Sequence, residues 1–81
     1  MSNQTTIQNK IFGDLCRNIL GKSIFQKKRI TAKLAILHGM FHEQVLEWSS
    51  VVLILTQLKY ARASNLDAVF QAAYSRELDA K

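Results

Sequence analysis

The sequence lacks proline and contains only three glycines and one cysteine among its 81 residues. Without proline, and with so few glycines, the backbone has few points at which it must turn sharply, which favours helices joined by short connections. The single cysteine, Cys16, cannot form an internal disulfide, so the sequence favours a reducing cytoplasm over a disulfide-stapled secreted scaffold. We interpret Cys16 as a small core residue.

Long apolar runs are also missing. The longest, Val51 to Leu55, has five residues, against the roughly 20 that a membrane-spanning helix needs. The mostly polar start, Met1 to Asn9, predicts no signal peptide. With 48% hydrophobic and 21% charged residues, the composition is far from that of a disordered chain. We expect one helical domain over residues 1–81, with residues 1–4 frayed.

Motifs for catalysis or metal binding are absent from the sequence. There is no glycine-rich phosphate loop, no nucleophile elbow and no evident pair of carboxylates for acid–base work. His38 and His42 are four residues apart, but a turn predicted at Gly39 would separate them, and Leu46 stands where a zinc-protease motif needs its second histidine. The sequence therefore predicts a protein that is not an enzyme and holds no metal or cofactor.

Apolar residues recur at intervals of three and four along most of the chain, which predicts an all-α fold. The predicted helices cover approximately residues 5–20, 24–38, 40–63 and 66–78. Gly21 is predicted to end the first helix, Ser23 to cap the second, and Ser64 or Asn65 to cap the fourth. A buried strand at residues 51–54 is the alternative for part of the third helix, since that run is rich in β-branched residues.

The predicted helices together carry more apolar surface than one small fold can bury. A short chain buries only roughly 60–65% of the surface that it exposes when unfolded. The surplus predicts a protein partner, self-association into a homo-oligomer, or both. The predicted partner-binding residues are Phe41, Trp48, Val52, Leu55, Phe70 and Tyr74. Core packing of Trp48 within a helical hairpin remains an alternative.

Positive charge is concentrated in the first half of the chain. Residues 1–33 contain seven basic residues and one acidic residue, whereas residues 34–81 contain four basic and five acidic residues. A basic strip near the start of the second helix has the composition of a phosphate-binding surface, and the alternative is a solvated face that keeps the protein soluble. The residues of the strip are Lys22, Lys27, Lys28, Arg29 and Lys33. Nucleic-acid binding is therefore an alternative function.

The two central helices resemble a tetratricopeptide-type hairpin. In such hairpins a glycine makes the turn and aromatic residues pack on small residues of the first helix. The corresponding residues here are Ala32, Ala35, Gly39, Phe41 and Trp48. This resemblance implies a central helical hairpin whose turn lies at Gly39.

The same residues, followed by Asn65 and Phe70, also resemble the AraC negative regulators, a family of very short helical bacterial proteins. The resemblance covers roughly half of the chain. It implies a protein that binds an activator of the AraC/XylS type, blocks its dimerisation and thereby lowers expression of virulence genes.

The segment from Leu66 to Leu78 is similar to part of the Hha/YmoA nucleoid modulators. The residues that carry this similarity are Ala68, Val69, Phe70, Ala72, Ala73 and Arg76. Both resemblances imply a transcription modulator that acts by binding another regulator. A small helical chaperone or a secretion-system subunit is a further alternative, since either would use the same kind of hairpin.

Overall fold

The computed structural model describes residues 2–23 and 26–79, and the side chains of residues 6–23 and 26–79. The described chain consists of helices and connections, without strands, so the fold is all-α. Its helices are α1 (Ser2–Lys22), α2 (Lys27–His42), α3 (Trp48–Tyr60) and α4 (Leu66–Asp79). A single 3₁₀ turn, Ala63–Asn65, precedes α4. The strand alternative for residues 51–54 is wrong, because these residues lie within α3.

Helix α3 lies at the centre of the fold and packs most extensively against α1 and α4, whereas α2 crosses the other helices with fewer backbone approaches. Its buried face consists of Val51, Ile54, Leu55 and Leu58. This spacing places the four side chains on one side of the helix. They join Ile19 of α1, Leu37 of α2 and Phe70 of α4, among others, in one hydrophobic core.

The first helix begins earlier and ends later than the sequence predicts. It starts at Ser2, where we expected a frayed segment, and passes through Gly21 to Lys22. Gly21 does not have the positive φ of a glycine cap. The predicted role of Ser23 is wrong too: its hydroxyl donates a 3.1 Å hydrogen bond to the carbonyl of Leu20 and so satisfies the end of α1. The predicted start of the second helix, Ile24, lies outside the described residues.

The hairpin turn is not at Gly39. Helix α2 continues past this residue to His42, and the chain reverses over residues 43–47. Gln44 is the residue with a positive φ, 64°. The amide of Gln44 donates to the carbonyl of Phe41 at 3.1 Å, and that of Val45 donates to Met40 at 2.8 Å. These two bonds form a Schellman motif, which satisfies the last carbonyls of a helix.

The fourth helix follows the prediction most closely. It begins at Leu66, and Asp67 lies in its first turn, where the helix dipole favours a negative charge. Ser64 and Asn65 form part of the preceding 3₁₀ turn. Within the described residues, no helix has the length and hydropathy that spanning a bilayer requires.

Candidate protein-binding face

The last turn of α2 brings together side chains from three helices. The Phe41 ring lies against Trp48 of α3, with 5.4 Å between ring centroids. The Tyr74 hydroxyl of α4 donates to the sulfur of Met40 at 3.0 Å. Tyr74 also stacks on Phe70, one turn earlier in α4, with centroids 5.5 Å apart. We call Met40, Phe41, Trp48 and Tyr74 the aromatic face.

These four side chains are half-buried and pack against the edge of the core. Val52, one turn after Trp48 on the same side of α3, is also half-buried. Phe41, Trp48, Val52 and Tyr74 are thus predicted partner-binding residues that the structure leaves accessible. Aromatic residues and methionine are enriched at protein interfaces, where each buries a large apolar area. This arrangement can therefore bind an apolar surface.

Two of the predicted partner-binding residues are core residues instead. Leu55 is 0% exposed and Phe70 is 5% exposed. Both lie on the inner faces of their helices, where they contact other helices of the same chain. The prediction that they contact a partner is wrong for the chain as folded here, because the sequence could not separate the inner stripe of α3 from the rest of its wide apolar surface.

Four acidic residues lie close in sequence to residues of the aromatic face. Glu43 follows the last turn of α2, Glu47 immediately precedes Trp48, and Glu77 and Asp79 lie in the last turn of α4. None of these four carboxylates forms an ion pair with another described residue. Arg76 is the basic residue in that turn of α4. The segments that carry the aromatic face therefore have a net negative charge, which would complement a basic partner.

The histidine pair has a different geometry from the one we predicted. His38 and His42 lie on one face of the unbroken α2, and their ring centroids are 5.3 Å apart. The ring of His38 also contacts Phe12 of α1, with centroids 5.1 Å apart. No group of three or more histidine, cysteine or acidic side chains with a metal-binding arrangement occurs in the described part of the chain. Two imidazoles alone leave half of a tetrahedral zinc sphere unfilled.

The predicted basic strip is divided by internal contacts. Arg29 donates to Asp67 at 2.7 Å, and this hydrogen bond raises the pKa of Arg29. Lys33 lies 3.9 Å from the same carboxylate and 5.2 Å from the centroid of the Phe70 ring. The side-chain ammonium of Lys22 donates hydrogen bonds to the carbonyls of Lys59 and Ala61 at the end of α3. Lys27 and Lys28 remain exposed.

Comparison with protein-family models, with curated proteins and with solved structures finds no match to this chain. The resemblances to the AraC negative regulators, to the Hha/YmoA modulators and to tetratricopeptide hairpins therefore stay predictions. For the hairpin, residue-level differences are clear. Gly39 is inside α2, and Ala32 and Ala35 are exposed rather than buried beneath Phe41 and Trp48.

Proposed function

We propose that the chain is a non-catalytic modulator of transcription that binds a regulatory protein through the aromatic face. The observation that carries the proposal is the set of half-exposed aromatic side chains at the end of α2, together with nearby carboxylates in the sequence that form no ion pair within the described residues. A partner with an apolar helix flanked by lysine or arginine would complement both features. An activator of the AraC/XylS type is the partner that the sequence resemblance implies.

The central contacts of such a complex are Trp48 and Tyr74. A tryptophan or tyrosine at the centre of an interface often contributes a large share of the binding free energy, since its burial removes much apolar surface from water. The acidic rim would act mainly on the rate of association, because exposed charges steer the encounter more than they hold the complex. Binding should accordingly slow as salt is raised, with a smaller effect on dissociation.

The test is binding of the purified chain to a purified AraC/XylS-type activator from the same organism, followed by biolayer interferometry. Val52→Asp places a charge beside Trp48 and is expected to weaken binding by at least about tenfold, or about 1.4 kcal/mol. Leu53→Asp is the matched control. It is the adjacent residue, is 52% exposed and lies on the outward side of α3, so binding should be retained.

A transcription readout completes the test. Expression from a promoter that the activator controls should fall when the wild-type chain is co-produced and recover with Val52→Asp. Circular dichroism must show both variants to be helical. Equal binding by the two folded variants would contradict the assignment of the aromatic face, and no binding by the wild-type chain would contradict the proposed partner.

A further inference from the structure

A second charged surface lies at the opposite end of the molecule from the aromatic face. The side-chain ammonium of Lys22 donates to the carbonyl of Ala61 at 2.7 Å and also to that of Lys59. This contact places the carboxyl end of α1 beside the carboxyl end of α3. The ion pair of Arg29 with Asp67 places the first turn of α2 beside the first turn of α4. Four helix ends therefore meet here.

The fold collects basic residues from these four helix ends. They are Lys22, Lys27, Lys28, Arg29, Lys59 and Arg62, and we call this group the basic end. Asp67 is the one carboxylate in the described segments 18–23, 26–31 and 57–69 that form this part of the molecule. Lys59 and Arg62 were not among the predicted phosphate contacts, because they lie more than 30 positions from Lys28 in the sequence.

The internal contacts of the basic end leave several cations free. Lys27, Lys28 and Arg62 are exposed and have no ion pair with a described residue, and Lys59 is exposed beside the ring of Tyr60. Lys22 neutralises the carbonyl end of α3, which would otherwise carry a partial negative charge. The first turn of α2 contains no acidic residue and no side-chain cap. Its positive end therefore adds to the field of the lysines.

We infer that the basic end is a second binding surface, which binds the phosphate backbone of nucleic acid. Cations that come from several helices and lie at one end of the molecule can contact successive phosphates. Tyr60 favours nucleic acid over an acidic peptide as the partner. Its side chain is 77% exposed at this end, and an exposed aromatic ring among lysines offers a stacking surface for an unpaired base.

This inference goes beyond the proposed function and does not depend on it, since the two surfaces share no residue. If both proposals are correct, the chain contacts a regulatory protein with the aromatic face and nucleic acid with the basic end. Each binding activity can then be removed separately by a substitution in its own surface.

The test is fluorescence anisotropy of a labelled 20-base-pair duplex DNA, titrated with the full chain at several salt concentrations. The test variant is Lys28→Gln with Arg62→Gln, which removes one lysine and one arginine from different elements of the basic end. The matched control is Lys10→Gln with Arg76→Gln, which removes the same charge from exposed positions on α1 and α4 outside it. All three proteins should have the same circular dichroism spectrum.

We expect the wild-type chain to bind at about 50 mM salt, with an affinity that falls steeply as salt rises. The test variant should bind about tenfold more weakly, and its log–log salt slope should decrease by about 2, because each lost phosphate contact removes about 0.9. The control should keep the wild-type slope and stay within about threefold in affinity.

Three results would overturn the inference: no binding to either the duplex or a single strand at low salt, an equal loss in the control, or displacement of the duplex by polyglutamate at an equal concentration of charges. The contribution of Tyr60 is tested with a 20-nucleotide single strand. Tyr60→Ala should weaken its binding by about fivefold or more and leave duplex binding unchanged. An unchanged single-strand affinity would exclude stacking on Tyr60.

Discussion

Leu53 and Leu55 are the same residue type on the same helix, yet they lie in opposite environments. Leu55 is 0% exposed in the core and Leu53 is 52% exposed on the outward side of α3. Truncation of a fully buried leucine costs about 2–5 kcal/mol, because it removes apolar contacts and leaves a cavity.

We therefore expect Leu55→Ala to lower the free energy of unfolding by about 2–5 kcal/mol, which is a large part of the stability of so short a chain. Leu53→Ala should change it by less than about 1 kcal/mol. Urea unfolding followed by circular dichroism measures both. If Leu55→Ala changed the free energy of unfolding only slightly, Leu55 would again be a candidate for contact with a partner.

Cys16 illustrates how partial burial changes the reactivity of a side chain. It is half-buried and packs against the core, as the sequence predicts. Burial raises the pKa of its thiol from 9.0 to about 11, although the nearby Arg17 lowers it. Since the thiolate is the nucleophile, the folded protein should react slowly with alkylating reagents.

We expect iodoacetamide at pH 8 to modify Cys16 much more slowly in the folded chain than in the same chain unfolded in urea, and mass spectrometry can follow the reaction. The pKa shift also affects stability. Between about pH 9 and 11 the unfolded thiol loses its proton while the folded one keeps it, so stability should fall as pH rises through this range. Cys16→Ala should remove that part of the pH dependence. Equal alkylation rates in both states would contradict this view of Cys16.

The connection between α2 and α3 shows where reasoning from sequence succeeded and where it failed. Spacing of apolar residues predicted both helices, but glycine as the strongest local signal placed the turn at Gly39. Helix α2 continues there because Met40 and Phe41, in the next turn, pack against α4 and α3. Such contacts outweigh the roughly 1 kcal/mol that a glycine costs inside a helix. No local signal marks Gln44 as the residue with positive φ.

Two substitutions test this turn. Gly39→Ala should raise the free energy of unfolding by about 0.5–1 kcal/mol, since alanine favours the helix and a Cβ at this position meets nothing within 4 Å. Gln44→Gly should also raise it, by about 1 kcal/mol, because glycine adopts a positive φ without a steric cost. Thermal unfolding measures both. A loss of stability in Gly39→Ala would indicate that the turn is at Gly39 after all.

The candidate surfaces were predictable to different degrees. The sequence predicts four accessible residues of the candidate protein-binding face: Phe41, Trp48, Val52 and Tyr74. Residue type and helical spacing were enough to identify each of them, without knowledge of tertiary contacts. The basic end was only half identified. Lys59 and Arg62 belong to the basic end because α3 packs beside α1, and this packing cannot be predicted from the spacing of residues in the sequence. The engagement of Arg29 and Lys33 by Asp67 is likewise a tertiary contact.

All buried apolar residues of the described chain belong to one core, so the molecule should unfold as a single unit. Trp48 is the only tryptophan and reports the contact between α2 and α3. We expect the urea transition seen by Trp48 fluorescence to coincide with that seen by far-ultraviolet circular dichroism. Trp48 fluorescence that changes at lower urea would show that the aromatic face opens before the core.

Charge is unevenly distributed over the molecule: the segments that carry the aromatic face contain Glu43, Glu47, Glu77 and Asp79, whereas the basic end contains six basic residues. The aromatic face depends on the final turn of α2, which carries Met40 and Phe41. The amide of Glu43 closes this turn by donating to the carbonyl of Gly39 at 2.9 Å. If this turn unwinds, Met40 and Phe41 leave their neighbours together. The amide hydrogen of Glu43 is protected from exchange while this hydrogen bond is intact, so its protection factor in deuterium oxide measures the free energy of opening the turn on which the aromatic face depends.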